Sequence, residues 1–166
     1  MLYSLIEKLD TLFNFERAKA HCDIPCGIYD PHHAQLDALT VIRMIDLMSE
    51  VVSAPQKDNL SFHNSVSRYI AIKEEHAELL KREVRVIYGD YFKQEHLDKF
   101  PELPSLAHKI MQLGSKVRQT TSRETAVELL GALNRFAEIF WETKGVAVKR
   151  AKAPYKPSEE VVYPVL

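Results

Sequence analysis

The chain has 166 residues, with 22 Lys and Arg against 23 Asp and Glu, a net charge of −1 with His neutral. That length supports one domain with its own core, needing no disulfide or metal staple. The neutral balance excludes the concentrated basic surface that nucleic acid needs. No apolar run reaches the roughly 20 residues of a membrane span, and neither GxGxxG nor GxxxxGK[ST] occurs.

Leu2, Leu5, Ile6, Leu9, Leu12 and Phe13 recur at helical spacing, so residues 2–19 form an amphipathic segment. It is read either as a removable leader or as a first helix of the bundle. Ala18-Lys19-Ala20 has the small-x-small form of a processing site. Glu7, Asp10 and Glu16 make the segment unlike a secretory or mitochondrial leader. Next, His21-Cys22-Asp23-Ile24-Pro25-Cys26-Gly27-Ile28-Tyr29-Asp30-Pro31 carries two Pro and a Gly, which predicts an irregular loop.

Asp30-Pro31 reads as an N-cap followed by Pro at the first helical position. A helix is predicted from there to about Val52, with Leu36, Leu39, Ile42, Met44, Ile45, Met48 and Val52 on its apolar face, stopped by Ser53-Ala54-Pro55. A second helix is predicted from about Ser61 to Tyr88, with Val66, Tyr69, Ile70, Leu80, Val84 and Ile87 as core residues and Gly89-Asp90 as its end. Residues 90–104 read as a loop with aromatics and prolines, and a third helix as 105–117. Thr121-x-x-Glu124 matches a capping box opening a fourth helix through Val127, Leu130, Leu133, Phe136 and Phe140, stopped by Lys144-Gly145. Residues 146–166 mix charge with three prolines and read as a tail. The expected architecture is all-α: an up-down four-helix bundle with an N-terminal hook-like loop. The expected division is leader 1–20, hook and bundle 21–145, tail 146–166.

Both cysteines fall in one loop, as Cys22-x-x-x-Cys26 directly after His21. Several readings are open at this point. The pair could be buried filler, although a loop of this composition is a poor core element. It could be a local disulfide, which cytosolic proteins rarely keep. It could be half of a zinc site completed by His32 and His33, although structural zinc prefers a CxxC spacing with a second pair. If the chain instead began at His21, its α-amine, the Cys22 amide nitrogen and the Cys22 sulfur would form two fused five-membered chelate rings. Cys26 sulfur would close a square plane, and the His21 imidazole could reach an axial position. Such a tetragonal nitrogen and sulfur set favours nickel or copper over zinc.

The loop resembles the nickel hook of the nickel-containing superoxide dismutases, HCxxPCGxY. The resemblance continues through Lys73-Glu74, Ala77-Glu78-Leu79, Asp90-Tyr91-Phe92-Lys93, Pro101-Glu102-Leu103 and Phe140-Trp141-Glu142-Thr143-Lys144. It implies a superoxide dismutase that cycles Ni(II) and Ni(III), with one nickel per subunit of a homohexamer. The implied ligands are His21 through amine and imidazole, Cys22 through amide and thiolate, and Cys26 through thiolate. Tyr29 would stand over the open axial face. Asp23, Pro25 and Tyr91 would order the hook, and Lys93 would draw in the anionic substrate. A carboxylate and an Arg that orient the ligating imidazole in the family correspond to Asp37 and His76 here, shorter and differently charged. The resemblance further implies a propeptide removed by a maturation peptidase, a cytoplasmic location, and neither nucleic acid nor membrane as partner. The competing reading is a thiol redox sensor or zinc-binding helical adaptor that keeps its leader and uses Cys22 and Cys26 as a switch.

Overall fold

The computed structural model describes residues 27–55 and 58–166. The leader 1–20 and the hook residues His21, Cys22, Asp23, Pro25 and Cys26 lie outside them. The chain enters the described region at Gly27, whose φ of +81° favours a residue without Cβ. The first long helix, α1 (His32–Ser53), follows. The N-cap is Pro31, one residue after the expected Asp30, whose carboxylate accepts from the His32 N–H at 2.8 Å just outside the helix. Ala34, Ala38, Val41, Ile42, Ile45 and Met48 face the core at helical spacing. Val52, expected in the core, is 65% exposed.

Asp58 opens α2 (Asn59–Val86) by accepting from the Leu60 and Ser61 N–H groups, both at 3.1 Å. This starts the helix before Ser61. Its buried positions, Lys73, Ala77, Leu80 and Val84, lie in the C-terminal half. Ile70 is exposed, so the N-terminal half covers less core than its periodicity suggested. The helix does not stop at Gly89. It widens into a π-helical turn, Ile87–Tyr91, closed by the Phe92 N–H donating to the Ile87 carbonyl at 3.3 Å. Single π turns of this kind occur often at functional sites.

The segment expected as a loop contains a short helix, α3 (Gln94–Lys99). Beyond it, α4 (Leu103–Gln119) is longer than expected at both ends, with Pro104 in its first turn where no N–H partner is needed. The last helix is α5 (Arg123–Thr143). Its cap is Ser122, whose hydroxyl accepts from the Thr125 N–H at 3.2 Å, one residue after the expected Thr121. Gly145, at φ +69°, ends it as expected. Contacts run α1 to α2, α2 to α4, α4 to α5 and α5 back to α1, the cyclic adjacency of an up-down bundle. Phe136, Phe140, Leu129, Leu133 and Ile139 of α5 are fully buried at its centre.

Residues 146–166 are not a loose tail. They form an antiparallel hairpin, β1 (Val148–Lys152) with β2 (Glu160–Pro164), in register from Val148 opposite Pro164 to Lys152 opposite Glu160. Val161 and Val162 are fully buried and Ala153 nearly so, with β2 against α1 and α5. Ion pairs clip the hairpin to α5: Arg123 to Glu159 and Arg150 to Glu138, both 2.7 Å. The bundle fold therefore stands as expected, with a hairpin added to one flank.

Candidate metal centre

Tyr29 lies three residues before the start of α1, half-buried, with its ring 5.8 Å from that of Tyr91 at a 53° tilt. Tyr91 ends the π turn and is held on every side. It stacks on His96 at 5.5 Å and 13°, packs against Phe140 at 4.7 Å, and meets Phe92 edge-on at 5.1 Å. Its hydroxyl lies 2.6 Å from Thr143 Oγ1. The Thr143 hydroxyl spends its one proton on the Phe140 carbonyl at 2.6 Å, so Tyr91 donates to Thr143. The Lys144 ammonium lies 4.8 Å from the Tyr91 ring centroid, in cation–π contact. Tyr91 is thus a fixed wall behind Tyr29.

Lys93 is exposed, and its backbone N–H donates to His96 Nδ1 at 3.1 Å, which leaves the neutral His96 proton on Nε2. Asp37 of α1 and His76 of α2 meet side to side, Oδ1 to Nδ1 at 2.6 Å. Burial pushes the Asp37 carboxyl above its ordinary range, against the lowering effect of the His76 hydrogen bond and charge. His33, one candidate zinc ligand, is exposed. The other, His32, packs its ring on Tyr163 at 5.5 Å, and its Nδ1 is buried without a hydrogen-bond partner.

The structure therefore brings Tyr29 to Tyr91 and Asp37 to His76, and leaves Lys93 facing solvent. Sequence reasoning assigned no role to Thr143, Lys144 or His96. The first two sit in a stretch whose resemblance to the family was already visible, and that stretch was the available signal. Among the described residues, no group of three or more His, Cys, Asp or Glu is placed to hold a metal. The two thiols of the sequence are Cys22 and Cys26, beside His21. Thiolate and imidazole donors fit nickel, so the donor chemistry of the chain agrees with the metal its loop resembles.

The helical bundle, in a chain whose sequence holds its thiols and a His in one N-terminal loop, defines the class as an all-α metalloprotein. The family model for nickel-containing superoxide dismutase matches residues 16–144. The nickel superoxide dismutase of Streptomyces seoulensis is 35% identical over 128 residues, covering 77% of this chain and 91% of that protein. That of Streptomyces coelicolor is 36% identical over 125 residues, covering 75% and 88%. A native nickel superoxide dismutase structure superposes with a TM-score of 0.64 at 35% identity, covering 75% of this chain and 99% of that one. The chain belongs to the nickel-containing superoxide dismutase family. It is an oxidoreductase that disproportionates superoxide to dioxygen and hydrogen peroxide, with nickel as its cofactor. The thiol-sensor and zinc-adaptor reading is not favoured, and His32, turned onto Tyr163, gives it no second ligand pair.

Proposed function

We propose that nickel is held by the His21 α-amine and imidazole, the Cys22 amide nitrogen and thiolate, and the Cys26 thiolate, in a chain cut between Ala20 and His21. The observation that carries this reading is the run His21 to Tyr29, which holds both thiols and lies inside the family match. Nickel, when bound, supplies a one-electron couple between Ni(II) and Ni(III), so that one superoxide is oxidised to dioxygen and a second, with two protons, is reduced to hydrogen peroxide. The residues make that couple accessible. Two thiolates and an amide nitrogen donate electron density, and the His21 imidazole favours the oxidised state.

The surrounding residues divide the remaining work. Tyr29, backed by Tyr91, limits what reaches the hook and shields the thiolates from the peroxide product. Asp23 and Pro25 shape the loop. The Asp37–His76 pair orients the His21 ring, as outer partners of metal-bound His commonly do. Lys93, exposed, raises the local positive potential and draws in a small anion. Leader 1–20 keeps the hook unassembled until a maturation peptidase acts. A reducing cytoplasm keeps Cys22 and Cys26 as thiols. A hexamer is supported by the apolar side chains that α1 and α2 leave outside, among them Val52, Leu60 and Ile70.

The test compares three forms: full length, cut at His21, and cut with one Gly added before His21. Only the second should combine about one nickel per chain with fast superoxide removal. The added Gly moves the free amine one residue away and breaks the first chelate ring. Full-length protein as active as the trimmed form would exclude the amine as a ligand.

A further inference from the structure

The C-terminal hairpin lies beyond the residues that the family model matches, and its second strand is seated on α5 and α1. Two contacts carry this. The first is Gln35, in the opening turns of α1 and fully buried. Of its two amide orientations, one makes a single bond, to Asn134 Oδ1 at 2.7 Å. The other makes two to the strand, accepting from the Val162 N–H at 2.9 Å and donating to the Val162 carbonyl at 3.2 Å. In that second orientation the side chain pairs with β2 as a neighbouring strand would. With Gln35 in the first orientation, Asn134 of α5 donates to the Glu160 carbonyl at 2.8 Å, which ties β2 to α5. The second contact is Tyr163, whose ring lies 5.5 Å from that of His32, the first residue of α1. Residues 27–31 alone separate His32 from Cys26.

We propose that the hairpin braces the nickel hook: Val162 on Gln35 and Tyr163 on His32 hold the first turn of α1, so this chain keeps its metal through a segment outside the family's common fold. Tyr163 and Gln35 are positioning residues. They touch no ligand, and they fix the direction in which the chain leaves α1 toward Cys26. A hook tethered at a fixed root meets the metal with its donors already arranged. One tethered at a loose root must order them on binding and releases the metal sooner. The proposal rests on the ligand set given above.

The experiment measures Ni(II) release to a chelator and the visible and EPR spectra of nickel-loaded protein cut at His21. It compares wild type, Tyr163→Ala, Tyr163→Phe, His32→Ala and a core control, Val117→Ala. Val117 is fully buried in the last turn of α4, which packs on α2 and α5, so its truncation lowers the melting temperature without removing either contact of the brace. Tyr163→Ala and His32→Ala should release nickel about tenfold faster than wild type and shift the spectra. Tyr163→Phe, which keeps the ring, should restore both, and Val117→Ala should change neither. Equal release from Tyr163→Ala and wild type overturns the brace, as does faster release from Val117→Ala at a matched melting temperature. A Tyr163→Ala chain that does not fold leaves His32→Ala to decide in the same way. Wild-type protein that takes up no nickel overturns the ligand set, and the brace with it. Nickel retention in wild type with no loss in either variant overturns the brace alone.

Discussion

Asp37 Oδ1 and His76 Nδ1 lie 2.6 Å apart and link the second turn of α1 to α2, both side chains only partly exposed. If, as the sequence resemblance implies, the pair stands where the family has a longer carboxylate and an Arg, this chain joins the two helices through shorter groups. If the pair orients the His21 imidazole, its length sets how firmly that ring is held. Asp37→Glu combined with His76→Arg should then change the Ni(III) EPR spectrum of the processed, nickel-loaded protein. Either substitution alone should disturb it more, because each leaves one partner mismatched. Identical spectra across wild type, single and double variants would remove the pair from any role at the ligand.

The same pair gives a pH dependence. Burial raises the Asp37 pKa in the fold above the 3.8 of a free side chain. A carboxyl with a raised folded pKa contributes stability that is complete below its unfolded pKa and is lost as pH rises through its folded one. Asp37→Asn keeps an acceptor for His76 and removes that titration. The stability of Asp37→Asn relative to wild type should therefore increase as pH rises from below 4 toward neutrality. Denaturant midpoints of the metal-free proteins over that range check it, and a pH-independent difference would contradict it.

The long helices were legible because each buries one stripe of apolar residues, as Ala38, Ile42 and Ile45 do in α1. The hairpin was not legible, for a physical reason. Strand alternation arises when one face meets a core and the other meets water. In β2 the adjacent Val161 and Val162 are both buried, and β1 is a run of charge, Lys149-Arg150 and Lys152 around Ala151. Neither strand alternates cleanly, and the prolines read as breakers. The six residues of α3 are too few to show a period. At the site, the residues that resemble the family's hook partners could be named from sequence. Their partners could not, since the Thr143 that receives the Tyr91 proton is 52 positions away, a distance that only the packing of α5 against the π turn closes.

Lys73 offers a test of the bundle that leaves the hook alone. Its side chain is almost fully buried, and its ammonium donates to the carbonyls of Val117 and Arg118 at 2.6 Å and of Thr120 at 3.1 Å. These are orphan acceptors at the C-terminal end of α4, where positive charge is favoured by the helix dipole. Glu74, 3.5 Å away, adds charge balance. Burial holds the ammonium below its ordinary pKa range. Lys73→Met matches the stem but leaves the carbonyls without their donor, and should cost about 3 kcal/mol of stability, part of the lost bonding being offset by relief of a buried charge. Urea unfolding measures it. A loss under about 1 kcal/mol would mean that water replaces the ammonium at these carbonyls.

The proposed ligands differ in what they supply, so their variants should fail differently. Cys22→Ser or Cys26→Ser replaces a soft thiolate by a hydroxyl that stays protonated near neutral pH, and would remove much of the electron donation that a bound nickel would receive. Each should abolish both nickel retention and superoxide removal, and each should lose the thiolate-to-metal charge-transfer absorption. His21→Gln keeps the α-amine, the Cys22 amide nitrogen and both sulfurs, so four of the proposed donors survive. It should hold a substantial fraction of the wild-type nickel while losing most turnover, because the imidazole serves the oxidised state. The two measurements, bound nickel and rate per bound nickel, separate the roles: the Ser variants fall in the first, the Gln variant in the second. All three variants losing nickel to the same extent would show that the imidazole is as necessary to nickel retention as the thiolates, and that the proposed division of roles is wrong for this chain.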